Sequence, residues 1–430
     1  MEPGPGDDRR TRLARQVAAA LGPAHPGSGP VTFWFVPGRI EVLGKHTDYA
    51  GGRSLVCAIE RGLCFGGRAA EEPVLTLTRC DTGDRVRLPL SPGPEVARGE
   101  WTGFAAAVAG RLARDFAITR GAELALAGDL PAAAGLSSGT ALTIGIFLGL
   151  AGANRLDRHP RYQAHLRDPA ARAEYLSSVE NGRPFGPFEG GGGVGTLGGA
   201  QDQAAILLAE PGRLTQLRFR PLQIERTVRF PEDRVFAVAT SGVPAEKTAG
   251  ARERYNRAAQ AAGEILRRWQ ELSGETRTSL GEVLARAPGA AERLSRALEA
   301  APRLRERLIQ FAAETEELVP AAGDALEAGD LERFGELAER SAELGDRGLG
   351  NQVPETLHLH RSARRLGAAA ASPFGAGFGG SVWALVGSAE AAGFLAAWRE
   401  DYRAAFPHRE TGSDFFAARP AGPASGLPEL

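Results

Sequence analysis

Short apolar runs alternate with glycine and aspartate turns in the first third of the chain, a pattern typical of β-strands. Strands are predicted at residues 31–36, 55–59, 74–77, 86–88 and 123–127. Residues 141–150 are apolar on every side, which predicts a buried helix, and the charged segment 160–178 predicts a more exposed one. The glycine-rich stretch 182–199 is predicted to be a loop.

The second half has a different pattern, dominated by long periodic segments of Ala, Leu, Arg and Glu that predict helices. These segments are residues 251–272, 282–298, 304–318, 331–344 and 389–405, and strands are predicted at 235–240 and 382–386. Strands and helices occur in both halves without a regular β-α-β alternation. The pattern therefore indicates the α+β class.

A chain of 430 residues is too long for one ordinary core and suits two domains. We expect a flexible N-terminal segment at residues 1–27, a first domain at 28–215 and a second domain at 216–419. Residues 420–430 are expected to form a disordered tail.

Composition narrows the class of function. The chain is 43% hydrophobic and 24% charged, as in soluble globular proteins, and its formal net charge of −1 gives no attraction for nucleic acid or an anionic membrane. The longest apolar stretch, 141–153, is too short to span a bilayer, and the N-terminus does not resemble a secretory signal. Cys57, Cys64 and Cys80 lack metal-ligand spacing and are expected to be reduced, which favours a cytoplasmic location.

A dense polar segment follows the first predicted strand: residues 37–49 read PGRIEVLGKHTDY. Arg39, Lys45, His46 and Asp48 lie within ten residues of one another. Such groups at the mouth of a buried element are costly unless a polar ligand pairs with them. This segment is therefore a candidate ligand site.

A second candidate is the small-residue loop LPAAAGLSSGT at residues 130–140, between a predicted strand and the buried helix. Small residues allow close backbone approach, and a helix N-terminus offers free N–H groups to a phosphate. It is not a Walker A loop, because no Gly-Lys-Ser/Thr follows. A helix capped by Ser137 or Ser138 explains the same residues.

A third segment, SPFGAGFGGS at residues 372–381, has four glycines within six residues before a predicted strand. Glycine permits backbone torsions and close approaches that other residues forbid. On its own the segment also fits a tight connection between strands.

These three segments resemble, in order, the three motifs of the GHMP kinases, and the first resembles the sugar-recognition motif PGRxNxIGEHxDY of galactokinases. The resemblance covers most of the chain. It implies an N-terminal domain like ribosomal protein S5 domain 2, a ferredoxin-like C-terminal domain and an active site between them. It also implies an enzyme that phosphorylates the anomeric hydroxyl of galactose or a close relative, with ATP and a small sugar as its partners.

The resemblance implies catalytic roles for Arg39 and Asp202. Residues 198–203, GGAQDQ, are similar to the galactokinase run CGIMDQ, whose aspartate lies against the reacting hydroxyl. A carboxylate there can accept or orient the proton, and Arg39 would stabilise the transferred phosphoryl group and keep Asp202 ionised. A simple loop or helix-cap aspartate is the alternative for Asp202.

Nucleotide and metal contacts follow from the second motif. The resemblance assigns the nucleotide phosphates to Ala134, Gly135, Leu136, Ser137, Ser138, Gly139 and Thr140. The third serine of the family motif is missing, so Ser138 or Thr140 would supply the hydroxyl that helps to hold Mg²⁺. Glu180 is the candidate metal carboxylate, and Glu189 is the second choice because the spacing to Asp202 is longer than usual.

The sugar contacts implied by the resemblance are Lys45, His46, Asp48 and Tyr255, although the tyrosine also fits a ring packed on the core. Lys45 and Lys247 are the only lysines of the chain. Lys45 replaces the family glutamate that faces the C6 hydroxyl, and an ammonium can only donate. It could favour galacturonate, or it could pair with Glu41, which replaces the family asparagine.

Galactose is thus the leading substrate and galacturonate the second. A galactokinase-like protein that senses sugar and ATP without turnover is a further alternative.

Overall fold

The computed structural model describes residues 5–23, 28–91, 101–131, 133–245 and 249–428. Lys247, which the sequence singles out, lies outside these residues.

The first half of the chain contains α1 (Pro5–Leu21), β1 (Thr32–Leu43), β2 (Arg53–Ala70), β3 (Val74–Arg79), β4 (Arg85–Pro89), α2 (Trp101–Phe116), β5 (Gly121–Gly128), α3 (Ser138–Ala153), α4 (Pro160–His165), α5 (Pro169–Asn181), α6 (Gln201–Leu207), β6 (Arg213–Arg218) and β7 (Gln223–Arg229). The second half contains β8 (Arg234–Thr240), α7 (Ala249–Ser273), α8 (Leu280–Arg286), α9 (Ala290–Ala297), α10 (Pro302–Ala313), α11 (Val319–Glu327), α12 (Leu331–Leu349), α13 (Pro354–Arg365), β9 (Ala370–Phe374), β10 (Ser381–Gly387), α14 (Ala391–Ala405), β11 (Asp414–Ala418), β12 (Pro420–Ala421) and β13 (Ser425–Leu427). A π-helical turn, Glu314–Leu318, joins α10 to α11.

The N-terminal domain is built on a sheet that has nine strands among the described residues, in the order β13-β1-β2-β5-β3-β4. Strands β6 and β12 also pair with β2, and β7 pairs with β6. The predicted buried helix is confirmed as α3, which packs on β1, β2 and β5. Its Phe147 packs with Trp34 of β1 and Phe65 of β2 in the main core of this domain. Amphipathic α1 covers other residues of the sheet through Leu13 and Val17.

The C-terminal domain has a four-stranded antiparallel sheet in the order β11-β8-β10-β9. Helices α13 and α14 pack against it around Trp398 and Tyr402. A second apolar cluster joins the two domains, because Ile40 and Val42 of β1 belong to the same core as Trp383 of β10. The indole Nε1 of Trp383 also donates to the carbonyl oxygen of Val42 at 3.2 Å. This shared core fixes the first motif against the C-terminal domain.

Several boundaries differ from those predicted. Residues 1–27 are not simply a flexible segment, because α1 is folded onto the sheet through its apolar face. The tail is not disordered over its described part: β12 and β13 return to the N-terminal sheet and pair with β2 and β1. A boundary at 215 would cut through β6, whose pairing with β2 places it in the first sheet. The helix predicted at 282–298 is split by Pro288 and Gly289 into α8 and α9.

In the part of the chain that the structure describes, every helix is too short or too polar to cross a bilayer.

Candidate active site

A cleft of about 520 Å³ brings the sequence motifs together. It is lined by the second half of β1, the 130–140 loop, the start of α6 and the 194–199 segment, with Ala376 of the third motif at its edge. Its size is that of a small-molecule site. Of the residues singled out from the sequence, Arg39, His46, Asp48, Glu180, Asp202 and Tyr255 all line it.

Arg39 and Asp202 form a charged pair in the cleft. Arg39 is 4% exposed on β1, and its Nε and Nη2 both lie 2.8 Å from Oδ1 of Asp202, in the first turn of α6. Nη1 of Arg39 also donates to the carbonyl oxygen of Gly135 in the 130–140 loop. The guanidinium therefore connects the aspartate to the loop that the sequence predicts for phosphate.

The third motif, residues 372–381, packs against the 130–140 loop and donates a hydrogen bond to it. Ser381 Oγ donates to the carbonyl oxygen of Ala134 at 2.6 Å. Gly375, at a φ of 79°, lies so close that a Cβ there would stand 3.0 Å from the oxygen of Gly135. Ser137 has a φ of 61°, and its Oγ has no hydrogen-bond partner among the described residues. A buried hydroxyl in that state fits a polar ligand, because an unsatisfied group costs about 1–3 kcal/mol.

Glu180 and Glu189 occupy different environments. Glu180 is 4% exposed and lines the cleft, where Thr140 Oγ1 donates to its Oε2 at 3.4 Å. Glu189 is exposed, and its backbone oxygen accepts from Arg114. A carboxylate and a hydroxyl are oxygen ligands of the kind that Mg²⁺ takes beside nucleotide phosphates. Residues Glu180 and Thr140 thus fit the ion.

His46 is held in one tautomer by its neighbours. Its Nε2 lies 3.1 Å from the carbonyl oxygen of Ala376, which can only accept, so this nitrogen carries the proton. Its Nδ1 then accepts from the hydroxyl of Tyr49 at 3.0 Å, and that hydroxyl accepts from Arg307 at 3.1 Å. The His46 backbone has a φ of 56°, which is rare for a residue with a side chain. This strained position is typical of functional sites.

Asp48 lies next to the start of α6. Its Oδ2 accepts from the backbone N–H of Gln201 at 3.2 Å. Burial, and then the neighbouring charge of Asp202, raises the pKa of Asp48 above its ordinary value. Gly199 is required here, since a Cβ at that position would stand 2.6 Å from Oδ2 of Asp48.

Tyr255 and its neighbour Asn256 join α7 to the cleft. The Tyr255 ring lies 5.1 Å from that of His46, and burial raises the pKa of its hydroxyl well above the ordinary value. Asn256 accepts from the N–H of Leu197 at 3.0 Å and donates to the oxygen of Gly195 at 3.2 Å. The pair therefore anchors the glycine-rich loop over the cleft.

Lys45 differs from expectation, because it does not contribute to the cleft lining. It is 1% exposed, and its Nζ donates to Ser341 Oγ at 2.8 Å and Ser372 Oγ at 2.9 Å. Ser341 in turn donates to Glu314 at 2.5 Å. The turn at Gly44, with a φ of 101°, precedes this inward orientation. The sequence could not reveal it, since the partners lie about 300 residues further along.

Glu41, unlike Lys45, contributes to the lining of the cleft. It is 4% exposed and lines the cleft, and its Oε2 accepts from Gln201 Nε2 at 2.7 Å. Its Oε1 has no hydrogen-bond partner among the described residues. Burial is the main cause that raises the pKa of Glu41 to about 7, although Lys45 and Arg39 oppose it.

One end of the cleft has no recognisable sequence motif. Trp101 and Phe104 of α2 and Leu126 of β5 give it an apolar wall, with Leu130 and Leu142 nearby. The only sequence signal is the pair of aromatic residues at the start of an amphipathic helix, which is ordinary for a core. The sequence alone therefore does not mark this wall as part of a site.

Several known proteins resemble this chain over most of its length. Residues 24–68 match the galactokinase galactose-binding signature, and residues 323–404 match the C-terminal domain of GHMP kinases. A galactokinase of Lactococcus lactis, solved in complex with galactose, superposes with a TM-score of 0.74 at 24% identity, over 92% of this chain and 95% of that one. A mevalonate kinase superposes with a TM-score of 0.52 over 91% of this chain and 99% of that one, at 14% identity. The chain thus shares its fold and its motifs with the GHMP kinases.

Within that class the chain is galactokinase-like, a kinase that transfers a phosphoryl group to an alcohol. The galactokinase of Chloroflexus aurantiacus is 26% identical over 379 residues, which cover 87% of this chain and 89% of the relative. The galactokinase of Pyrococcus furiosus is also 26% identical, over 90% of this chain and 96% of the relative.

Proposed function

We propose that the protein transfers the γ-phosphoryl group of ATP to the anomeric hydroxyl of galactose, giving galactose 1-phosphate and ADP. The observation that carries this proposal is the Arg39–Asp202 pair, with both nitrogen–oxygen distances at 2.8 Å, between the sugar-motif residues and the phosphate loop. The galactose-binding signature at residues 24–68 supports the choice of sugar.

In the proposed reaction the oxygen on C1 forms a bond to the γ-phosphorus while the bond to the β–γ bridging oxygen breaks. Asp202 accepts or orients the proton of the hydroxyl, and Arg39 stabilises the charge on the transferred group. Phosphoryl transfer needs mainly such positioning and charge stabilisation. The bond from Arg39 to the oxygen of Gly135 supports this placement, because it ties the pair to the phosphate loop.

ATP would lie along residues 134–140, with its phosphates over the N-terminus of α3 and its base against Trp101 and Phe104. We assign Mg²⁺ to Glu180 and to a loop hydroxyl, with Thr140 favoured over Ser138 because Thr140 already contacts that carboxylate. The ion, when bound, neutralises charge on the phosphates.

Galactose would contact His46, Asp48 and Tyr255. Galacturonate is not favoured as a substrate, for two reasons. Lys45, the residue that suggested an acidic sugar, points into the protein interior. The cleft is also lined by three carboxylates, those of Glu41, Asp48 and Asp202. An acidic sugar would meet like charges there. A sensor without turnover is not favoured either, because the Arg39–Asp202 pair is intact.

The test is Asp202→Asn, which keeps the shape of the side chain and removes its charge. We expect turnover to fall at least about 100-fold, as for other general bases, while ATP binding measured by calorimetry changes little. The matched control is Asp157→Asn, an exposed aspartate outside the cleft lining. Near-normal turnover in the Asp202 variant would remove it from the catalytic role.

A cytoplasmic location is also proposed. Cys57, Cys64 and Cys80 are all free thiols, as expected of a reducing compartment.

A further inference from the structure

Glu41 is a buried carboxylate with one oxygen that the protein leaves unused. Its Oε2 is bound by Gln201, whose own Oε1 accepts from Ser54 Oγ at 2.9 Å, so this side of the carboxylate is fixed. Its Oε1 has no partner among the described residues, although the side chain is 4% exposed. A buried acceptor in that state costs about 1–3 kcal/mol, and more if it is charged. A donor from outside the chain would recover this energy.

The position of Glu41 points to the donor. Arg39 and Glu41 lie on the same face of β1, two residues apart in a regularly paired stretch where Arg39 faces Ala58 and Glu41 faces Val56 on β2. Two residues along a strand span about 6.6 Å, comparable to one pyranose ring. A sugar whose anomeric carbon lies at the Arg39–Asp202 pair would therefore reach Glu41 with a hydroxyl group of the same ring.

The charges of the neighbouring residues allow Glu41 to act as an acceptor. Burial raises the pKa of Glu41 to about 7, and the charges of Lys45 and Arg39 oppose this rise. A hydroxyl that donates to Oε1 would lower the pKa further and favour the carboxylate. Lys45 does not occupy Oε1: its ammonium group donates to Ser341 and Ser372, and Oε1 has no hydrogen-bond partner among the described residues.

We propose that Glu41 is a further substrate-binding residue, whose Oε1 accepts a hydrogen bond from a ring or exocyclic hydroxyl of the sugar other than the reacting one. The inference rests on the proposed function. The family motif has a glutamate at position 45, which would accept a hydrogen bond from the sugar. This chain has an inward-pointing lysine there, and the inference assigns the acceptor role to Glu41 instead.

Glu41→Gln is the decisive variant, because its amide oxygen can still accept from Gln201 while an amide nitrogen replaces Oε1. The free atom then changes from acceptor to donor, and the internal bond remains. We expect kcat/KM for galactose to fall about 10–100-fold, the value of a hydrogen bond to a charged group, mainly through KM. Glu60→Gln, at an exposed position of β2, is the control and should leave kcat/KM unchanged.

Deoxy sugars distinguish a sugar contact from a structural role. Wild type and Glu41→Gln are compared on galactose and on its 2-, 3-, 4- and 6-deoxy analogues. We expect one deoxy analogue to have a low kcat/KM with wild type, because it lacks the hydroxyl that donates to Glu41. Its kcat/KM should not fall further in Glu41→Gln, since that hydrogen bond is already missing. An equal loss on every sugar, or none on any, would overturn the role of Glu41 while leaving the proposed function intact.

Calorimetric titration of galactose separates the two proposals further. A wild-type protein that neither binds nor phosphorylates galactose would refute both the proposed function and this inference. Thermal melting of the variant checks that any loss of activity does not arise from unfolding.

Discussion

Replacing Lys45 with Met tests whether this residue serves the fold or the sugar. Met keeps an unbranched apolar stem in the buried position and removes the ammonium group. Lys45 is 1% exposed, and Glu314, which it reaches through Ser341, is 0% exposed. Burial raises the pKa of Glu314, and the charge of Lys45 is the largest influence that opposes this shift. Without the lysine, the carboxylate would lose the largest of the influences that favour its charged form.

The magnitude follows from this burial. Removing one partner of a buried charge pair costs about 3–5 kcal/mol. For 430 residues the unfolding entropy is about 0.9 kcal/mol per degree, so the expected drop in Tm is about 3–6 °C. Scanning calorimetry measures this drop, and Arg303→Met, at an exposed site on α10, is the control for loss of a cation.

A second substitution makes the test specific. Lys45→Met combined with Glu314→Gln should recover much of the lost stability, because the orphaned charge is gone. KM for galactose should stay within about threefold of wild type in both variants when it is measured at about pH 9, where Glu41 remains ionised without the lysine. A Lys45→Met protein that melts like wild type but has a KM for galactose raised more than about tenfold would refute the buried role and restore Lys45 as a sugar contact.

Three further predictions concern the cleft and the thiols. Burial raises the pKa of Glu41 from 4.5 to about 7; the facing charges of Lys45 and Arg39 oppose this rise and that of Glu314 adds to it. The folded state therefore binds the proton of Glu41 more tightly, and it loses about 3 kcal/mol of stability as pH rises from about 4.5 through about 7. Melting curves should therefore show Glu41→Gln gaining about 3 °C on wild type between pH 5 and pH 8, and a constant difference would contradict the shift. Gly199→Ala should raise KM for the sugar at least about tenfold and leave ATP affinity unchanged, because the added Cβ would displace Asp48. The control is Gly152→Ala, which has open space around it and should change neither KM for the sugar nor ATP affinity. Burial raises the pKa of Cys57 and of Cys64 to about 12, so a thiol reagent at pH 8 should modify at most Cys80 before unfolding; rapid labelling of all three would contradict the packing.

Local patterns predicted much of the fold. The all-apolar run that became α3 is a strong signal, because that helix is buried on nearly every side. The alternating run that became β5 also predicts a strand, but both faces of β5 are buried, with Leu124 and Leu126 in one apolar cluster and Ala125 and Ala127 in another. The short strands β12 and β13 have no such signal, with two and three residues each. Their pairing with β2 and β1 is a tertiary contact across most of the chain, which periodicity cannot reveal.

The residues of the site also fall into those that the sequence predicts and those that it does not. Arg39, Asp48 and Asp202 were chosen by motif and do line one cleft, since the motifs encode the turns that bring them there. The directions of Glu41 and Lys45 were not predictable, because they depend on Gln201 and Ser341, which are distant in sequence. Residue type alone favours Lys45 over Glu41 as the sugar-binding residue. The packing favours Glu41, because Lys45 points into the interior and Glu41 lines the cleft.

The most direct test of the account is identification of the product formed from galactose, ATP and Mg²⁺ by phosphorus NMR and mass spectrometry. We predict galactose 1-phosphate and ADP in equal amounts, with no phosphorylated product when galacturonate replaces galactose. Phosphorylation at another hydroxyl, release of phosphate from ATP without a sugar phosphate, or no turnover of galactose at all would contradict it.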